Sequence, residues 1–113
     1  MDDKKIKNLL REFSEVRDWD QFHNLKNLAC ALSVEASELL EIFQWSEDGG
    51  EIKDEVTHNK IADEVADIML YLIRFSDIAK INIEEACLNK IKKNKKKYPI
   101  ELSKGISKKY NEL

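Results

Sequence analysis

Ile6, Leu9, Leu10, Phe13 and Val16 recur at intervals that return to one helical face, so they predict a first helix that stops before the polar aromatic cluster at 17–23. Asn24 is a cap by type. Behind it Leu25, Leu28, Ala29, Leu32, Ala36, Leu39, Leu40 and Phe43 share a broad apolar face, giving a second helix that stops near Trp45, ahead of Gly49 and Gly50. After a polar stretch, Ile61, Ala62, Val65, Ala66, Ile68, Met69, Leu70, Leu72, Ile73 and Phe75 form a third helix that is apolar around most of its circumference. Asn82, with Glu85 three residues on, resembles a capping box opening a fourth helix through Ala86, Cys87 and Ile91. Pro99 limits that helix to about Lys97 or Tyr98, because the residue before a proline avoids the α region. The polar remainder, 99–113, reads as a C-terminal arm.

Three glycines and one proline in 113 residues favour helices over a turn-rich barrel, so the expected fold is all-α, a four-helix bundle forming a single domain over 1–113. The third helix has too much apolar surface for three neighbours to cover, which predicts a homo-oligomer. No apolar run approaches the roughly 20 residues that span a bilayer, and a charged N-terminus without an apolar stretch behind it makes a cytoplasmic protein the expectation. Cys30 and Cys87 stand singly in helical patterns and are expected to be reduced core residues. Nineteen basic against 22 acidic residues give a net charge of −3, a balance that argues against a nucleic-acid or membrane partner. The charges are segregated, however. Acids crowd 35–41 and 51–67, while Lys90, Lys92, Lys93, Lys95, Lys96 and Lys97 crowd one later segment.

Glu35 and Glu38 lie three residues apart, so their side chains leave the second helix about 60° apart and one turn along it. Glu64 and Asp67 repeat that spacing on the third helix among apolar neighbours. Four carboxylates converging in a dry groove repel one another unless a cation or protons intervene. An oxygen-only set points to Mg²⁺, with Mn²⁺ as the alternative, rather than zinc. A di-iron bundle needs two Glu-x-x-His motifs, and only Glu55 with His58 fits. Trp19, His23, Trp45 and Tyr71 offer faces and edges for a nucleobase, although Trp45 and Tyr71 are by type expected more in a core. Lys90, Asn94 and Lys97 share one stripe that suits phosphate, or solvent at a helix C-terminus.

Several segments together match a known pattern. They are Arg-Asp-Trp-Asp-Gln-Phe-His at 17–23, Lys-Asn-Leu at 26–28, Ser-Val-Glu-Ala-Ser-Glu-Leu-Leu-Glu-Ile-Phe-Gln-Trp at 33–45, and Asp-Glu-Val-Ala-Asp-Ile-Met-Leu-Tyr-Leu at 63–72. The match continues through Asn-Lys-Lys-Lys-Tyr-Pro at 94–99 and Lys-Lys-Tyr-Asn-Glu-Leu at 108–113. The chain resembles the MazG-like nucleotide pyrophosphohydrolases, in particular their small dCTP pyrophosphatase branch. That resemblance implies Mg²⁺-dependent cleavage of a (deoxy)nucleoside triphosphate, dCTP or a modified relative, to monophosphate and pyrophosphate by a dimer or a tetramer built as a dimer of dimers. It implies Glu35, Glu38, Glu64 and Asp67 as metal ligands. Trp19, His23, Trp45 and Tyr71 would surround base and sugar, and Lys90, Asn94, Lys97 and Tyr98 would face the phosphates. Glu38, or Glu41 after it, is the expected carboxylate for the attacking water. The segment 46–60 departs from the pattern. The competing expectation is a non-catalytic helical interaction module whose acid pairs make salt bridges to the lysine-rich helix across a subunit interface.

Overall fold

Each long helix starts where a side-chain oxygen accepts a backbone N–H three residues on, which satisfies a donor the first turn would leave orphaned. In the computed structural model, which describes Met1–Leu113, Asp2 caps α1 (Asp3–Val16) through Lys5 N at 3.0 Å, and Asn24 caps α2 (Leu25–Phe43) through Asn27 N at 2.8 Å. Asp54 caps α3 (Glu55–Ile78) through Thr57 N at 2.7 Å, and Asn82 caps α4 (Ile83–Lys97) through Glu85 N at 3.0 Å. The all-α expectation holds: the chain has helices and no strands. No helix is long and apolar enough to cross a membrane.

Contacts within the chain divide it into two compact units, Met1–Lys80 and Ile81–Leu113. In the first, α2 and α3 pack along each other and α1 packs on α3. The pairings of Glu35 with Asp67 and of Gln44 with Lys60 around common clefts make α2 and α3 antiparallel. Leu28 of α2 and Ile73 of α3, 2% and 1% exposed, are the fully buried apolar residues, and Ser14 of α1 is buried with them. Between α1 and α2 the chain reverses at Asp18, whose φ of 55° is a left-handed value that Asp tolerates better than most residues. Trp19 N then donates to Ser14 O at 2.9 Å, and a 3₁₀ turn, Asp20–Phe22, leads to His23. This reversal stacks Trp19 edge-on against Phe13, with ring centroids 5.6 Å apart. In the second unit, a short helix α5 (Ile100–Ser103) follows α4, and Tyr98 meets Tyr110 edge-on with centroids 6.4 Å apart.

Three expectations need correction. α3 begins at Glu55, not near Ile61, because Asp54 supplies a cap and a polar first turn costs a solvent-facing helix nothing. The preceding loop is closed by Asp48, which accepts from Ser46 Oγ and Gly50 N and pairs with Lys53. Gly50, at φ 92°, has the Phe43 ring 2.9 Å from where a Cβ would stand, so only glycine fits there. Second, Cys30 and Cys87 are free thiols but are exposed on the chain rather than packed in its core, since no second layer covers their helix faces. Third, Trp45 is 87% exposed, not a core residue, because α2 ends before it and nothing in the loop packs over the indole.

Candidate active site

Glu35, in the middle of α2, faces Glu64 and Asp67 of α3, and one carboxylate oxygen of each lies within 4.8 Å of the others. Helical spacing puts Glu64 and Asp67 on one side of α3, and antiparallel packing brings Glu35 opposite them. Oε2 of Glu35 and Oε2 of Glu64 are buried with no hydrogen-bond partner. None of the three carboxylates takes part in the chain's ion pairs. Burial first, then the adjacent Glu64 and Glu38 carboxyls, then the charge of Asp67, push the Glu35 pKa up to about 7. Crowded acids with unpartnered buried oxygens and no ion pair of their own are the surroundings a hard divalent ion would complete. The residues present therefore fit such an ion.

Two clefts flank the acids. The first, about 210 Å³, is lined by Glu35 and Asp67 at one side and by Phe13, Trp19, His23, Leu70 and Tyr71 elsewhere, with Leu10, Ser14 and Arg74 completing it. That volume is below the roughly 300–1,000 Å³ of sites that enclose a whole small ligand, so it suits one flat group with the rest of the ligand outside. The second cleft, about 460 Å³, is lined by Glu38, Glu41, Ile42, Gln44, Lys60, Asp63 and Glu64. Glu64 thus borders it while its carboxylate meets Glu35.

Of the residues singled out in the sequence, Trp19, His23, Glu35, Asp67 and Tyr71 line one cavity, and Glu38, Glu41 and Glu64 line the neighbouring cleft. Glu38 stands outside the three-carboxylate cluster but close enough to Glu35 to raise its pKa. Trp45 lines neither cleft. Lys90, Asn94 and Lys97 lie on α4 and Tyr98 caps it, all in the second unit, where the Lys97 ammonium sits 4.8 Å from the centre of the Tyr110 ring.

Sequence reasoning missed Ser14, Asp20 and Arg74. Arg74 is buried beside His23 and donates to it at 3.1 Å and to Asp20 at 2.8 Å. Its signal was available: it is the single cation in the apolar run 61–75. Ser14 carried a weaker one, a small polar residue one turn beyond Leu10.

Residues 30–113 match the MazG-like family. The dCTP pyrophosphatase 1 proteins of Bos taurus and Homo sapiens are each 36% identical over 111 residues, 96% of this chain, and that of Mus musculus is 34% identical over the same share. The chain spans 66% of the length of the bovine protein and 65% of the human and mouse ones. A pyrophosphatase of Archaeoglobus fulgidus, known from its crystal structure, is 39% identical and superposes with a TM-score of 0.73, covering 85% of this chain and 91% of that one.

Proposed function

The chain belongs to the MazG-like family, and from that premise we propose that it hydrolyses a deoxynucleoside triphosphate, dCTP or a modified relative, to the monophosphate and pyrophosphate. The observation that carries this reading is the pairing of three convergent carboxylates with an aromatic cavity at their edge. The cavity is of a size for a base, and Glu35 and Asp67 stand at its edge. Glu35, Glu64 and Asp67, with Glu38 beside them, would hold Mg²⁺, or Mn²⁺ in its place. A bound ion of this kind supplies neutralisation of phosphate charge and polarisation of the phosphorus that is attacked.

The chain's own residues do the rest. Trp19 and Tyr71 flank the base and exclude water from one side of it. His23 reads its edge. Glu38, or Glu41 one turn further, orients the attacking water and takes its proton from a position in the open cleft. Lys90, Asn94, Lys97 and Tyr98 are proposed for the phosphates and Trp45 for the base on the strength of the family resemblance. The working unit is a homo-oligomer, a dimer or a dimer of dimers, with 1–113 acting as one functional domain. Two exposed, unpaired thiols suit a reducing compartment, so the cytoplasm is the proposed setting.

The non-catalytic module is not favoured by the comparisons, since the relatives that align over 96% of this chain are named for a pyrophosphatase activity. The experiment that tests the enzymatic reading is a panel of nucleoside triphosphates with Mg²⁺ and identification of products. Monophosphate plus pyrophosphate is expected, with dCTP or a modified cytosine nucleotide preferred. Orthophosphate plus a diphosphate would place the attack at the wrong phosphorus and overturn it.

A further inference from the structure

His23 Nδ1 receives two potential donors. Arg74 Nε donates to it at 3.1 Å, and Ser14 Oγ lies 3.3 Å from the same nitrogen. A guanidinium carries N–H donors only and stays charged, so this contact requires a lone pair on Nδ1. In a neutral imidazole with Nδ1 bare, the proton is on Nε2. A doubly protonated ring would set one N–H against another and put a positive charge beside Arg74. Burial and the Arg74 charge accordingly hold the His23 pKa below its usual value, against a smaller opposing pull from Asp20.

Arg74 is itself fixed at both ends. Its Nη2 donates to Asp20 Oδ1 at 2.8 Å, and Nη1 is 3.7 Å from Asp77 Oδ2. Arg11 of α1 in turn donates to both Asp77 oxygens, at 2.7 and 2.6 Å. The guanidinium is therefore aimed, not merely neutralised: its Nε–H has one direction available, and His23 lies in it.

We propose that Arg74 is a positioning residue that holds His23 as the neutral Nε2–H tautomer, so that the cavity meets a nucleobase with an N–H donor and selects bases offering an acceptor there. The selection rests on the enzymatic reading above. Cytosine presents a bare acceptor at N3, where uracil and thymine carry an N–H donor; O2 is an acceptor in all three, so the selection lies in the contact at N3. A site that spends a buried donor on the correct base leaves that donor unpaired with the wrong one, which discriminates more strongly than pocket shape.

The test is a long-range ¹H–¹⁵N spectrum of the ¹⁵N-histidine-labelled chain at neutral pH, with kinetics on dCTP. The chain has two histidines, and His58→Gln removes the other set of signals. The expected spectrum shows His23 with an unprotonated Nδ1 and a protonated Nε2. In Arg74→Met the ring should become a mixture of tautomers, KM for dCTP should rise about tenfold and kcat should stay within about threefold, the pattern of one lost binding contact of about 1.4 kcal/mol. Arg74→Lys, which keeps a charge and a donor, should recover most of the affinity. A wild-type spectrum with the proton on Nδ1 would overturn the proposal, and so would an Arg74→Met protein whose tautomer and KM match the wild type. Should Arg74→Met not fold, the wild-type spectrum and Arg74→Lys decide. A wild type that turns over no nucleotide would overturn the enzymatic reading and with it the base selection, while the tautomer assignment still stands or falls on the spectrum, which needs no substrate.

Discussion

Glu35 and Glu64 face each other across α2 and α3 with one oxygen apiece, Oε2, buried and receiving no hydrogen bond. Without a cation the pair is held together by its surroundings against its own electrostatics. Above the raised Glu35 pKa, where both acids are ionised, Glu35→Gln or Glu64→Gln should therefore raise the melting temperature of the metal-free protein, measured by circular dichroism with a chelator, because each removes one mutually repelling charge. The same substitutions should lower turnover at least about 100-fold, the range of one lost electrostatic contact in a water-poor site. A variant that melts higher but keeps its rate would remove that residue from the proposed metal site.

The sign of the pH dependence follows from the Glu35 pKa, raised from 4.5 to about 7 in the folded chain. Below the unfolded value the carboxyl is protonated in both states and carries no penalty. As pH rises from about 4.5 to about 7 the unfolded chain loses the proton while the folded chain keeps it, so stability falls through that window and then levels off. Urea denaturation of the metal-free protein across that range should show the decline. Saturating Mg²⁺ should weaken or reverse it, since ligand carboxylates bind the ion deprotonated, and calorimetry near pH 6.5 should record protons released on binding. A metal-free stability that rises between pH 5 and 7 would contradict the crowded-acid reading.

Helix order, the caps at Asn24 and Asn82 and the pairing of 35 with 64 and 67 were legible in the sequence because each depends on local periodicity or on a cap residue. The start of α3 was not, since Asp54 caps a first turn that is polar throughout and carries no apolar signal. The residue type of Trp45 predicts a core position, whereas its exposure depends on α2 ending two residues earlier. The Arg74 contacts could not be read at all: they join residues 51 and 54 positions apart, and only the reversal at Asp18 brings His23 and Asp20 against α3.

Asp77 anchors the arginine pair, and its side chain is 8% exposed while that of Arg11 is 55% exposed. Hydrogen bonds from Arg11 hold its carboxyl below the usual carboxylate range, against the effect of burial. Asp77 therefore contributes stability that is present above the unfolded carboxylate pKa and is lost as pH falls through the lower folded one. Asp77→Asn should cost about 1–3 kcal/mol at neutral pH, because it leaves two guanidinium groups with a weaker acceptor. It should also flatten the acid limb of the stability curve. The urea midpoint at pH 7 and at pH 3 checks both, and an unchanged acid limb would assign the acid sensitivity elsewhere.

The last expectation concerns what covers the apolar surface of α2 and α3. Val34 and Leu40 on α2 are 55% and 68% exposed, Val65 on α3 is 51% exposed, and Trp45 stands free beyond the end of α2. A single exposed leucine needs no explanation, but large exposed apolar side chains on two adjacent helices are what a second copy of the chain would cover. Subunit association should bury it, and interfaces of that kind resemble a core cut in half, so dissociation should be coupled to loss of structure. Light scattering should report a dimer or tetramer, and melting temperature should rise with protein concentration over a hundredfold dilution series by mass action. Leu40→Lys should shift the assembly toward monomer and lower the melting temperature more at low concentration than at high. A fully folded monomer at micromolar concentration with a melting temperature independent of dilution would show that water, and not a second copy, is the solvent these side chains tolerate.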